Sequence, residues 1–158
     1  MERRVKVLAA VATCAAALAA TAAPAQAYDA YPCGPERRHS GGWMIQYCPL
    51  WTGNVPVHRE PFQSSPIVGR LHQGGSANWF YAGTGCIKGR YWLGSYTNHW
   101  WAYTMSDTRN AQGRLISGWV NQVYFSGGGN DEPDRGLRWY GGGWWDCLHV
   151  PAPTPPAR

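Results

Sequence analysis

Between Asn54 and Val120 the chain is a succession of short apolar runs, rich in β-branched and aromatic residues and separated by Gly, Pro, Ser and Asn. That is the pattern of strands joined by tight turns. Val55 and Val57 alternate with Pro56 and His58, so the first run has one apolar side. Ile67-Val68-Gly69-Arg70-Leu71 is the second run, reached through the turn Gln63-Ser-Ser-Pro66. Gly74-Gly75 marks a reversal before Ala77 to Ala82, where Trp79 and Tyr81 share a face opposite to Phe80. His99 to Met105 sends Trp101, Tyr103 and Met105 one way and Trp100, Ala102 and Thr104 the other, and Leu115 to Phe125 contains a closing strand. Together these runs predict an all-β fold, a small twisted barrel or sandwich.

Several of these residues carry a resemblance. Val55-Pro-Val57, Pro61, Ile67-Val-Gly69-Arg-Leu71, Trp100-Trp-Ala-Tyr103 and Gly118-Trp119-Val120 resemble the pattern of the bacterial SH3 (SH3b) family. His58 and Glu60 stand where that family has Arg and Gly. The resemblance covers about half of the mature chain and implies a small SH3-like barrel. It implies that Tyr103 and Val120 face the core, leaving Trp119 on the opposite face with Trp100. Two outward Trp on neighbouring strands would form an aromatic shelf, in the kind of groove where wall-binding SH3b relatives hold cell-wall peptides.

The segments around this barrel divide by composition. Arg3, Arg4 and Lys6, the apolar run Val7 to Ala23 and the small-x-small site Ala25-Gln-Ala27 are the marks of a signal peptide over residues 1–27. The apolar run is short of the ~20 residues that a membrane span requires. Residues 28–53 form an N-terminal arm broken by Pro32, Pro35 and Gly41-Gly42, with Trp43 to Tyr47 able to form a strand. The barrel is expected over 54–126, with an insertion at 83–98. Gly127-Gly-Gly-Asn-Asp-Glu-Pro-Asp reads as a flexible acidic linker, opening a Gly- and aromatic-rich C-terminal arm over 127–150; residues 151–158 are a Pro-rich tail.

Secretion changes how the cysteines and the charge are read. After processing, Cys33, Cys48, Cys86 and Cys147 remain, and an even count in a secreted chain points to two disulfides. The favoured pairs are Cys33–Cys48, closing a short local loop, and Cys86–Cys147, tethering the C-terminal arm. A loop of about 15 residues contributes about 3 kcal/mol in the chain-entropy model. No cysteine pair has C-x-x-C spacing, so a zinc site is not expected. Eleven basic residues face eight acidic ones in the mature chain. This balance does not suggest nucleic acid, which calls for a clustered basic face. Arg37-Arg-His39 could touch an anionic partner, although it reads more simply as a solvated loop.

Catalytic motifs are missing. The chain has no G-x-S-x-G, no H-E-x-x-H and no phosphate-cradling loop, and His58-Arg59-Glu60 reads as a surface ion pair. The aromatic content points to binding instead. All ten Trp and all nine Tyr lie beyond the signal peptide, more rings than a core of this size needs. Trp100 and Trp119 on the shelf, Tyr91, Trp92 and Tyr96 in the insertion, and Trp79 are the candidate ligand contacts. The expectation is a secreted, monomeric, non-enzymatic module without cofactor or metal. It would sit outside the cell or on its wall and bind peptidoglycan-derived peptide or glycan, or else an extracellular protein.

Overall fold

A computed structural model describes residues 32–72, 78–86 and 89–145. The expected signal peptide over residues 1–27, Cys147 and the Pro-rich stretch over 151–158 lie outside these residues. The chain is all-β. Its strands are β1 (Arg37–Arg38), β2 (Met44–Tyr47), β3 (Val55–His58), β4 (Ile67–Leu71), β5 (Trp79–Cys86), β6 (Tyr91–Leu93), β7 (Tyr96–Asn98), β8 (Trp100–Arg109), β9 (Leu115–Asn121) and β10 (Trp139–Trp145). A 3-10 turn, Gln122–Tyr124, follows β9.

The main sheet runs β1-β2-β5-β8-β9-β3-β4, and β10 adds to β5. Its pairings are antiparallel except that of β10. One edge of β5 is shared: β2 pairs with its first half, at Trp79 and Phe80, and β10 runs parallel to its second half, from Gly83 to Cys86. The insertion expected over 83–98 is corrected at its start: Gly83 to Cys86 continue β5 and pair with β8, and only Tyr91 to Asn98 forms the separate hairpin β6-β7. β4 ends the sheet, yet its backbone is not left open. Arg70 N–H donates to Thr108 Oγ1 (2.9 Å) and His72 N–H to Asp107 Oδ2 (2.7 Å), both on the far half of β8.

The sheet buries both faces, and the alternation of the sequence says which residue lies on which. Val55, Val57, Leu71, Phe80, Ala102 and Val120 are fully buried together, with Phe80 packed on Phe125 at 4.6 Å between ring centroids. On the other face His58, Trp101 and Trp119 are also buried. That is why β3 is buried at all four positions, polar His58 included. Gly118 makes the approach of β3 possible. A Cβ there would lie inside van der Waals contact of the His58 carbonyl oxygen and of Val57.

Both arms are sewn to the sheet. Cys33 and Cys48 form the expected disulfide. The Cys86–Cys147 pairing falls outside the described residues, although Trp145 is registered with Cys86. Buried amide side chains act as substitutes for backbone. Gln46 donates to the carbonyls of Gly34 and Gly136 and accepts from Arg138 N–H. Gln122 bonds to the Trp101 carbonyl and the Asp134 N–H. Asn98 donates to the carbonyls of Gly129 (3.0 Å) and Glu132 (2.9 Å) and accepts from Trp100 N–H (2.8 Å).

These bonds correct the reading of 127–134 as a flexible linker. Gly127, Gly128, Gly129 and Asp134 are buried, and Asp134 Oδ1 accepts from Cys33 N–H and Gly136 N–H. A Gly-rich, acidic composition predicts a mobile segment. Here the missing side chains let the loop pack closely enough for Asn98 to reach two of its carbonyls.

Candidate functional site

The outer face of β2, β5 and β8 carries a row of rings. Trp43 packs on Tyr81 (4.5 Å between centroids), Tyr81 on Tyr103 (5.9 Å) and Tyr103 on Trp119 (5.1 Å). Exposure rises along this row away from Trp119, which is 1% exposed, to the half-buried Tyr103, Tyr81 and Trp43. Burial pushes the Tyr81 phenol above its ordinary range, and the neighbouring Tyr103 adds to the shift. Burial likewise raises Tyr103, against a lowering hydrogen bond from Ser117. Both stay protonated, able to donate as well as accept.

At its open end this face becomes a groove of about 770 Å³, within the size range of small-ligand sites. Ile45, Trp79, Tyr81 and Met105 line it from β2, β5 and β8. Arg37, Arg38 and His39 border it from the β1 side, and Asp107, Arg109 and Leu115 from the β8–β9 hairpin. The lining is thus apolar and aromatic beneath a cationic border. Arg109 donates to the Gly113 carbonyl (2.7 Å), which holds its guanidinium near the turn. Arg37 and Arg38 are exposed and have no ion-pair partner among the described residues, whereas the adjacent Glu36 is taken by Arg138.

The candidate contacts read from the sequence are not brought to one place. Trp79 lines the groove, with Tyr47 edge-on to it at 5.5 Å. Trp119 and Trp100 do not form a shelf. The β8–β9 register sets Trp119 opposite Tyr103 and on the face of His58, while Trp100 is registered with Gly85 and packs edge-on to Trp139 at 4.4 Å. Successive residues of a strand point to opposite faces, so the same-face neighbour of Trp119 is Tyr103 rather than Trp100. The Tyr103 side of β8 does line the interior, as expected: Trp101 on that side is fully buried and Tyr103 packs against the core cluster, while the opposite side is buried as well. Ala102 and Thr104 are fully buried, and Tyr103 is half-buried on the groove face.

The insertion contacts divide three ways. Tyr91 is an interior residue, its hydroxyl 2.8 Å from that of Tyr124 and its ring against His58 and Trp101. Burial, reinforced by that hydrogen bond, pushes the Tyr124 phenol far above its ordinary range. Tyr96 is half-buried, edge-on to Trp51. Trp92 is 54% exposed, with the Arg90 guanidinium 5.6 Å from its ring centroid. Its backbone is bracketed by the Gln63 amide, which both donates to and accepts from it.

Two histidine clusters complete the chemistry. His58 is buried, not a surface ion pair: Nδ1 lies 2.9 Å from the Ser65 carbonyl, and Nε2 has no hydrogen-bond partner among the described residues. Burial lowers its pKa, with a smaller lowering from Arg70 that the Ser65 bond opposes. Arg90, His99 and Asp131 bond to one another, Arg90 to Asp131 at 2.9 Å and to His99 at 3.0 Å, with His99 Nδ1 on the Asp131 carboxylate. No group of three or more His, Cys, Asp or Glu suited to a metal ion occurs among the described residues. No helix among them is long and apolar enough to cross a membrane.

What the sequence reading missed at the groove is Ile45, Met105, Arg109 and Leu115, which approach Arg37 and Arg38 only through sheet order. The Arg37-Arg-His39 cluster is visible in the sequence; it is exposed, as a solvated loop would be, and borders the groove. Comparison with family models, with curated proteins and with solved structures finds no match to this chain.

Proposed function

We propose that this chain is a secreted, non-enzymatic binding module of SH3b-like architecture that recognises cell-wall peptide or glycan in the groove beside Trp79 and Tyr81. The observation that carries this reading is an open, ring-lined groove bordered by two arginines without ion-pair partners among the described residues. Concave apolar surface with a few polar or charged groups at its border is common where a ligand docks. The return of β4 to the far half of β8 through Thr108 and Asp107 supports the barrel-like reading. The disulfide supports an oxidising compartment. A second reading, an extracellular protein partner, is favoured by the exposed Trp92 with its Arg90 cation, which lies outside the groove lining.

Sedimentation of the oxidised mature protein with insoluble peptidoglycan tests this. Wild type is expected in the pellet. Trp79→Ala, shown to be folded by near-ultraviolet circular dichroism, is expected to remain in solution, and Trp92→Ala to sediment normally. Wild type staying in solution overturns wall recognition. Loss with Trp92→Ala instead of Trp79→Ala moves the contact to the β6-β7 hairpin.

A further inference from the structure

The border of the groove carries more information than its presence. Among the lining residues are three arginines, Arg37, Arg38 and Arg109, against one carboxylate, Asp107. That carboxylate already accepts the His72 N–H. Nothing else in the lining balances the positive charge. The remaining acids among the described residues are engaged elsewhere or lie outside the lining: Glu36 on Arg138, Asp131 on Arg90, Asp134 on backbone N–H groups. A ligand that settles here meets cations along the border and aliphatic side chains, Ile45, Met105 and Leu115, between them.

The rings decide between ligand shapes. A sugar stacks on an open, flat aromatic face. Tyr47 stands edge-on to Trp79, while Trp43 and Tyr103 crowd Tyr81 at 51° and 46° between planes. No pair of coplanar open faces is offered. Aliphatic side chains fit such a tilted, Met-containing surface better than a pyranose does. Carboxylates spaced along an extended chain would reach Arg37 and Arg38 on one side and Arg109 on the other.

We infer that the ligand of this groove is an acidic, extended peptide, its carboxylates on Arg37, Arg38 and Arg109 and its aliphatic side chains over Trp79, Met105 and Leu115. This rests on the reading of the groove as the binding site and narrows it from peptide or glycan to acidic peptide. Arg is suited to the role because its planar fork pairs with a carboxylate through two hydrogen bonds.

The test is fluorescence anisotropy of the whole mature protein with a labelled peptide of alternating Glu and Leu, roughly six residues or about 20 Å when extended. The same peptide with Gln for Glu, and an uncharged chitin oligosaccharide, are compared with it. The Glu peptide is expected to bind at least about tenfold more tightly than the Gln peptide, and more weakly as salt is raised. The Arg37→Gln, Arg38→Gln double variant should lose on the order of tenfold. An Arg59→Gln, Arg135→Gln control removes the same charge from exposed positions outside the groove and should change binding less than about twofold. Equal binding of the Glu and Gln peptides, or equal losses in the two double variants, overturns the proposal. So does binding of the oligosaccharide in place of the peptide. If neither peptide binds while peptidoglycan still sediments the protein through Trp79, acidic-peptide recognition falls and the binding-module reading stands. If sedimentation fails as well, both fall.

Discussion

Replacing Asn98 by Ala should be among the most damaging single changes in this protein. Asn98 is fully buried, and its amide makes three side-chain hydrogen bonds: to the Gly129 carbonyl, to the Glu132 carbonyl and from the Trp100 N–H. Truncation leaves those three backbone groups without the partner that desolvation obliges them to have. Stranding a buried polar group costs about 1–3 kcal/mol each. The Glu132 and Trp100 bonds are only partly buried, and some relaxation lets water reach them. A loss of about 3–5 kcal/mol is therefore expected, a large share of the ~5–15 kcal/mol by which a domain is normally stable. Urea unfolding followed by tryptophan fluorescence reads the loss as a lower midpoint. Amide exchange supplies the local reading, because the Asp131 N–H, bonded to the Thr97 carbonyl, should exchange faster in the variant. Asn98→Asp should be no better than Ala, since it would aim carboxylate oxygens at two carbonyls. A loss below about 1 kcal/mol, the worth of one ordinary hydrogen bond, would refute the claim that this amide clamps the 127–134 segment.

Two further expectations concern β3 and its neighbours. Burial holds the His58 pKa below the ~6.5 of an unfolded chain, so its contribution to stability is complete above that pH. Below it the unfolded chain takes up a proton that the folded one resists, and stability falls by at most about 1.4 kcal/mol per pH unit. Urea midpoints between neutral and mildly acidic pH should fall less steeply in His58→Gln than in wild type; equal slopes would refute this. Gly118→Ala should lower stability by about 1–3 kcal/mol through overpacking, because the new Cβ meets the His58 backbone oxygen, which cannot rotate away. An unchanged urea midpoint would show that β3 can shift at this crossing.

The legible part of the fold is what period-two alternation controls. Val55, Val57, Phe80 and Val120 lie where alternation within each run puts them, and Trp43 to Tyr47 does contain a strand. Alternation fixes faces within a strand but not register between strands, which is why Trp119 was matched with Trp100 rather than Tyr103. It is also silent on distant partners. That β2 and β10 would divide one edge of β5 has no local signature, so the groove, which depends on where β1 and β2 dock, was invisible except for Trp79 and the Arg37-Arg-His39 cluster. Composition misled in a specific way. A Gly-rich acidic stretch looks mobile until one buried amide is placed to bind it, and that amide, Asn98, is about thirty residues away in sequence.

The two ends of the main sheet also bear on edge-to-edge aggregation. An unpaired strand edge is a template on which another chain can pair, and proteins blunt such edges with short strands and charge. Here the N–H groups of Arg70 in β4 and of His72 just beyond it are occupied by side chains of β8. β1 is two residues long, and both are arginine. The pair that borders the groove thus also guards a sheet end against aggregation. Any change that made it apolar would expose a bare strand edge, so under the proposed function the same two positions would answer to both binding and solubility.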